Sequence, residues 1–126
     1  MWSILFFIIA GILNAIMDTT RFCWNSSIFN KIKNYKLFKF CNPQASQGNK
    51  WKNSDPKQGE KFFGSSTFLV WTTDLWHACK ALMILALVLG AVTYTVILNP
   101  LVDVILLYFV FTVSFEVFFS KVFIKK

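Results

Sequence analysis

The stretch "ALMILALVLGAVTYTVILNPLVDVILLYFVFTVSFEVFFS" (residues 81–120) decides the fold of this 126-residue chain. Residues 81–98 carry no charged side chain, and residues 101–120 carry two carboxylates and no basic residue. At 1.5 Å per helical residue, each half is about 27–30 Å long, the thickness of the hydrocarbon core of a bilayer. The Asn-Pro pair at 99–100 is a strong helix stop. We therefore predict a hairpin of two transmembrane helices.

The composition also favours a membrane protein. Hydrophobic residues make up 56% of the chain and charged residues only 15%, whereas soluble domains carry about 25% charged residues. A further uncharged run, "WSILFFIIAGILNAIM" (residues 2–17), is expected to cross the membrane as span one within residues 1–19. A cleaved signal peptide is the competing interpretation, but it requires a basic residue before the apolar run, and none is present. The predicted fold is an all-α integral membrane protein with three transmembrane helices.

Residues 20–65 form a polar, basic loop between the first two predicted spans. The net charge of the chain is +7, and nine of its 13 basic residues lie between Arg21 and Lys61. The tail, residues 121–126, is also basic, whereas the turn at 99–100 has no positive charge nearby. Because basic segments stay on the cytoplasmic side, we predict a multi-pass protein of the plasma or inner membrane. Its N-terminus is outside, and its loop and C-terminus are cytoplasmic.

Within this loop, residues 26–40 have the pattern of an interfacial amphipathic helix. Apolar side chains recur at steps of three and four, and lysines fall between them; this pattern is typical of helices lying on an anionic leaflet. A solvated loop that contains aromatic residues is the alternative. The expected partners are the lipid bilayer and anionic lipid headgroups. Nucleic acid is not an expected partner, because the membrane topology already explains the positive charge.

Span two is expected to belong to a longer helix over residues 66–98, with Ser65 or Ser66 as its cap. Such a helix is about 50 Å long and exceeds the thickness of a bilayer. Its first turns, which contain Asp74 and His77, must therefore leave the hydrocarbon or pack against other parts of the protein.

The segment "GEKFFGSS" (residues 59–66) is similar to a phosphate-binding P-loop. It has Ser65 where the P-loop lysine should stand, and no apolar strand precedes it. We interpret it as a turn that enters the helix.

Four ionisable residues are the candidate functional site. The predicted topology places Asp18, Asp74, His77 and Glu116 at the cytoplasmic ends of three different helices, with Asn14 one turn before Asp18. A carboxylate inside a membrane helix costs about 3 kcal/mol at the centre and less near the ends. We therefore expect these side chains to converge and to find partners.

The cluster has three interpretations. In the first, its members form hydrogen bonds and ion pairs with one another and have a structural role only. In the second, a divalent metal ion is bound by Asp18, Asp74, His77 and Glu116, since imidazole and carboxylates suit Mn, Fe, Zn or Mg. In the third, the catalytic acid–base groups are Asp74, His77 and Glu116. Asp103 lies at the opposite end of its helix, and its replacement by Asn is expected to be nearly neutral.

The segments "ILNAIMD" (12–18) and "WKNSDPKQGEKFFGSSTFLVWTTDLWH" (51–77) resemble those of small bacterial and phage membrane proteins. The resemblance brings no activity with it. We expect a cytoplasm-facing carboxylate–histidine site that binds a metal ion or acts on lipid-like substrates. The alternatives are a pore-forming, holin-like homo-oligomer with Glu116 and Asp18 at its subunit contacts, and an accessory subunit whose helical hairpin docks on a larger membrane complex.

Overall fold

The computed structural model describes residues 2–125, and within this range the chain is helical with no β-strand. Its α-helices, in chain order, are α1 (Trp2–Phe22), α2 (Tyr35–Cys41), α3 (Pro43–Ser46), α4 (Leu75–Val92) and α5 (Pro100–Val117). A π-helical turn, Phe118–Phe123, continues α5. Three helices are long and apolar enough to cross a membrane: α1, α4, and α5 with its continuation. The prediction of an all-helical chain with three potential membrane spans is confirmed.

Helix α4 is shorter than the sequence indicated. The predicted helix over residues 66–98 is wrong at both ends, because α4 begins at Leu75 and ends at Val92. Asp74 has an extended backbone, and its side chain accepts a hydrogen bond from the backbone N–H of His77, so that Asp74 and neither serine is the cap. A carboxylate is among the best residues for this position because it satisfies a free N–H of the first turn.

The amphipathic helix predicted over residues 26–40 is also wrong. A short 3₁₀ turn, Ile28–Lys31, is followed by α2, whose cap is Asn34. Ser27 is extended because it pairs with Ile124 in an antiparallel β-bridge. The loop is therefore attached to the C-terminal tail, which a continuous helix over this segment would not permit.

Helix α1 lies between the other two membrane helices. It packs against both α4 and α5, which share few contacts with each other. Gly11, Ala15 and Thr19 are spaced four apart along α1, and all three are buried. A Cβ atom at Gly11 would lie only 2.5 Å from the carbonyl oxygen of Phe111. The backbones of α1 and α5 thus approach each other closely at a position where no side chain fits.

Asp103 holds the turn between α4 and α5. It is fully buried, and its carboxylate accepts hydrogen bonds from the Tyr94 hydroxyl at 2.7 Å and from the backbone N–H groups of Ile97 and Leu98 at 2.8 and 3.1 Å. These three hydrogen bonds lead us to expect a large effect of Asp103→Asn, in place of the nearly neutral one that the sequence indicated. The partners lie in residues 94–98, within the range predicted as the end of the long helix over residues 66–98.

Candidate functional site

Asp74 and His77 form a hydrogen-bonded pair at the start of α4. The Nδ1–H group of His77 donates to Asp74 Oδ2 at 2.7 Å, and the backbone N–H of His77 donates to Asp74 Oδ1 at 2.9 Å. The Thr73 hydroxyl also donates to Oδ2, at 3.3 Å. A residue three positions after a helix cap lies directly above it on the same face. The D-x-x-H spacing at a helix start is therefore sufficient to build this pair.

The pair leaves one ring nitrogen of His77 free. The Asp74 side chain is 11% exposed and the His77 side chain 33% exposed. Because the carboxylate accepts a hydrogen bond from Nδ1–H, it favours the tautomer in which Nε2 is the unprotonated nitrogen. Among residues 2–125, no side chain or backbone group hydrogen-bonds to Nε2. An orientated imidazole with an open Nε2 can accept a proton or bind a cation.

The ring of Trp76 contacts two cationic side chains beside the Asp74–His77 pair. The Arg21 guanidinium lies 5.5 Å from the centre of the Trp76 ring, and the Lys80 ammonium lies 5.0 Å from it. Both distances are within the range of cation–π attraction. The Trp76 ring also meets the imidazole of His77 edge to face, with 5.0 Å between the ring centres. The C-terminal end of α1 is thus held beside the first turn of α4.

An open cleft of about 770 Å³ lies between these helix ends and the loop. Its volume is in the range of ligand sites, about 300–1,000 Å³. Asp74, Trp76 and His77 form one side of it, and Arg21 comes from α1. The loop contributes mainly polar residues: Trp24, Asn25, Ser26, Asn42, Gln44, Ser46, Gln47 and Lys50.

The cleft carries a positive charge excess. Arg21 and Lys50 line it, whereas its one carboxylate, Asp74, is already engaged by His77 and Thr73. The amides of Gln44 and Gln47 add donors that can bind an oxyanion. The arrangement therefore favours an anionic ligand over a cationic one.

Hydrogen bonds within the loop fix the walls of the cleft. Asn49 donates to the carbonyl oxygens of Lys39 and Thr73 at 3.1 and 2.9 Å, which ties the loop to the residue before Asp74. The fully buried hydroxyl group of Ser65 donates to the carbonyl oxygen of Lys50 at 2.7 Å. These bonds position the backbone at both edges of the site.

The P-loop-like segment, residues 59–66, is a turn closed by its own carboxylate. Glu60 accepts hydrogen bonds from the backbone N–H groups of Gly64 and Ser66 at 3.0 and 3.1 Å, and from the Ser66 hydroxyl. The Ser66 hydroxyl bond and the two backbone bonds hold the pKa of Glu60 below its usual range. The N–H groups that would bind a phosphate in a P-loop are occupied here. The segment is a turn as predicted, but α4 begins only nine residues after it.

The structure brings together two of the four predicted metal ligands. Asp18 is half-buried in α1 and Glu116 is exposed on α5, and neither has a hydrogen bond or ion pair with Asp74 or His77 in the described part of the chain. Residues 2–125 contain no group of three or more His, Cys, Asp or Glu side chains that could hold a metal ion. Binding of a divalent ion by Asp18, Asp74, His77 and Glu116 therefore has no assembled ligand set, and metal binding stays a prediction.

Sequence reasoning missed Arg21, Lys50 and Trp76 as site residues. The sequence indicated a role for the two cations only in the membrane topology. The available signal was weak. Arg21 directly follows span one, and Trp76 directly precedes His77, but only the fold shows that both lie on one cleft.

Comparison with known proteins finds no match: no family model, no curated protein and no solved structure matches this chain. The resemblance to small bacterial and phage membrane proteins stays a prediction.

Proposed function

We propose that this protein binds the phosphate-bearing headgroup of an anionic lipid in the cleft and that His77 exchanges a proton with it. One observation carries the proposal: the imidazole that Asp74 orientates through the 2.7 Å hydrogen bond lines the same cleft as Arg21 and Lys50. A general base that shares a cleft with two cationic residues suits a ligand that has both an acidic group and a transferable proton.

The position of the cleft supports a lipid rather than a soluble ligand. It lies where α1 ends and α4 begins, and both are helices able to cross a membrane. Exposed aromatic side chains flank these helix ends in the chain: Phe22 ends α1, and Phe68 and Trp71 precede α4. Trp side chains, such as that of Trp71, prefer the headgroup layer. A headgroup could therefore enter the cleft while its acyl chains remain in the bilayer.

In the proposed mechanism, Arg21 and Lys50 bind the anionic oxygens and His77 handles the proton. The free Nε2 of His77 accepts a hydrogen bond from a hydroxyl group of the ligand or from a water molecule beside it, and it takes up a proton when the ligand carries an acidic phosphate O–H, which leaves a phosphate anion beside the two cations. The Asp74 carboxylate then stabilises the imidazolium, since it already accepts the hydrogen bond from Nδ1. Glu116 has no part in this mechanism, because it is exposed on α5.

The orientation of the chain in the membrane is part of the same proposal. The loop that forms the cleft contains nine basic residues. We place it on the cytoplasmic side of the plasma or inner membrane, with the N-terminus outside, by the positive-inside rule. Anionic lipids are concentrated in that leaflet.

Neutralising the cations of the cleft should weaken lipid binding. We expect Arg21→Gln and Lys50→Gln each to lower the retention of phosphatidylglycerol by about tenfold, because each removes a charge-assisted hydrogen bond to phosphate. Native mass spectrometry of the full chain, released from phosphatidylcholine nanodiscs that contain 10–20% phosphatidylglycerol, measures this retention. The phosphatidylglycerol content is kept at roughly this level so that the cleft is not saturated and a loss of affinity lowers the fraction of protein with bound lipid.

The matched control is Lys57→Gln, which removes an exposed loop lysine outside the cleft. A second arm with glycerol phosphate distinguishes a headgroup that requires its acyl chains from a free phosphate ester. Equal losses for the Lys57 variant and the two cleft variants would mean that the cleft does not bind the headgroup.

A further inference from the structure

A second pocket, of about 270 Å³, is formed by the loop and the residues just before α4. It shares no lining residue with the cleft. Lys36, Lys39 and Lys61 line it, and we call it the lysine pocket. Its other lining residues are neutral, among them Tyr35 and Asn49. Because it is smaller than sites that enclose a whole ligand, about 300–1,000 Å³, it suits a single charged group of a ligand.

The fold brings the three lysines together from two separate segments. Lys36 and Lys39 are three positions apart in α2, so they lie on one face of that helix. The Asn49 side chain donates to the backbone carbonyl oxygen of Lys39 at 3.1 Å. The next residue, Lys50, accepts a hydrogen bond at its carbonyl oxygen from the backbone N–H of Lys61 at 2.9 Å. These two bonds fix α2 and the segment around residue 61 to the same short stretch of the loop.

The lysine pocket carries positive charge that no carboxylate of residues 2–125 neutralises. None of its three ammonium groups forms an ion pair with a carboxylate in this part of the chain, and no described acidic residue lines the pocket. Glu60, which directly precedes the third lysine, is engaged by the N–H groups of Gly64 and Ser66. Three like charges in one pocket repel one another, and an anion among them offsets this repulsion.

We propose that the lysine pocket binds a phosphate monoester group. Such a group has three terminal oxygens and a charge of about −1.5 to −2 at pH 7, whereas a phosphodiester or a carboxylate has a single negative charge. Lysine ammonium groups are common phosphate ligands, and each has three donors. The Tyr35 hydroxyl, on the same pocket, is a further donor. The inference is independent of the function proposed for the cleft, because the two sites have no lining residue in common.

Both lipid and soluble phosphate monoesters have access to this position. Thr72 and Thr73 line the pocket, and α4, which is long and apolar enough to cross a membrane, begins two residues later at Leu75. The pocket therefore lies near one end of a potential membrane span, the level at which lipid headgroups meet water. Phosphatidic acid and a water-soluble ester present the same phosphate group there.

Protection of lysines from acetylation tests the proposal on the full chain in phosphatidylcholine nanodiscs. Inorganic phosphate, added at constant ionic strength, should slow acetylation of the three pocket lysines by about threefold or more, as expected once the ligand exceeds its Kd by a few fold. An ammonium group that donates to phosphate is not available as a free amine. Peptide mass spectrometry reads each lysine separately. Lys57, an exposed loop lysine outside both sites, is the internal control and should react at an unchanged rate.

A substitution at Lys39 shows whether one ligand contacts all three lysines. Lys39→Gln should weaken phosphate binding about tenfold, the effect of losing one charge-assisted hydrogen bond, and so remove the protection of Lys36 and Lys61. The bond from Asn49 goes to the backbone carbonyl of residue 39, so the substitution does not remove it. Lys57→Gln should leave the protection intact.

Two further probes identify the source of the phosphate group. Protection by glycerol phosphate indicates a soluble ester, and protection by phosphatidic acid alone indicates a lipid headgroup; either result supports the proposal. Phosphatidylglycerol at the same content is the control for surface charge, since its phosphate is a diester. The proposal is overturned if Lys57 is protected as strongly as the pocket lysines, if phosphatidylglycerol protects as well as phosphatidic acid, or if Lys39→Gln changes nothing. Protection of Lys50 without protection of the pocket lysines would support the cleft and refute the lysine pocket.

Discussion

Gly11→Ala should destabilise the helical bundle by about 2–3 kcal/mol, the cost of forcing a methyl group into a closely packed interface. The added Cβ would lie 2.5 Å from the Phe111 carbonyl oxygen and 3.1 Å from the Phe115 backbone nitrogen. Backbone atoms of α5 cannot rotate away as a side chain can, so α1 must move off α5. Unfolding of the purified protein in mixed micelles of increasing SDS content measures the loss.

Gly90→Ala is the matched control for this prediction. Its Cβ would meet the ring of Phe7 at 2.9 Å, and that side chain can shift. Both substitutions gain the same helix propensity, about 1 kcal/mol for Gly to Ala, so the difference between them isolates the backbone clash. If Gly11→Ala were as stable as Gly90→Ala, the close approach of α1 and α5 would be refuted.

Asp103→Asn should open the turn between α4 and α5. An amide has one acceptor oxygen, which cannot replace the carboxylate for the Tyr94 hydroxyl and for two backbone N–H groups. Losing one charge-assisted bond changes an opening equilibrium by about tenfold or more. We therefore expect proteolysis within residues 93–99 to be at least about tenfold faster in intact proteoliposomes, with a lower Tm.

Tyr94→Phe is the companion variant, since it removes only one of the three bonds. It should have a smaller effect than Asp103→Asn, and the double variant should be little worse than Asp103→Asn alone. Wild-type rates of cleavage in Asp103→Asn would show that the carboxylate does not hold the turn.

The three helices that are long and apolar enough to cross a membrane could be predicted, because apolar length alone decides them. Sequence reasoning failed where short-range hydrogen bonds compete with helical periodicity. Asp74 was predicted to be a site residue inside a helix. Its side chain instead caps the start of α4, so that the residues before it are not part of that helix. Likewise, replacement of Asp103 was expected to be nearly neutral, because residues 94–98, which contain its hydrogen-bond partners, were predicted to be helical.

The packing of α1 could have been predicted in part. Gly11, Ala15 and Thr19 form a small-residue pattern at four-residue spacing, the usual sign of close helix contact in membranes. Which helix packs on Gly11 could not be read from α1 alone.

The candidate site was predicted only as far as local spacing determines it. Asp74 and His77 pair because they are three apart at a helix start. Asp18 and Glu116 were predicted to lie at the same depth in the membrane as this pair, but within residues 2–125 neither forms a hydrogen bond with it. The depth of a residue along a helix does not determine the direction in which its side chain points. The pairing of Arg21 with Trp76 depends on how α1 and α4 pack, and no short sequence pattern determines that.

The most direct test of the cleft uses the one histidine of the chain. Protein labelled with ¹⁵N-histidine gives a single pair of imidazole nitrogen signals, both from His77. In phosphatidylcholine nanodiscs we predict a protonated Nδ1 and an unprotonated Nε2, and Asp74→Asn should abolish this preference. Adding phosphatidylglycerol should shift the Nε2 signal in the wild type and much less in Arg21→Gln. An Nε2 signal that is the same in both lipid compositions would contradict the proposal that the cleft binds an anionic headgroup beside His77.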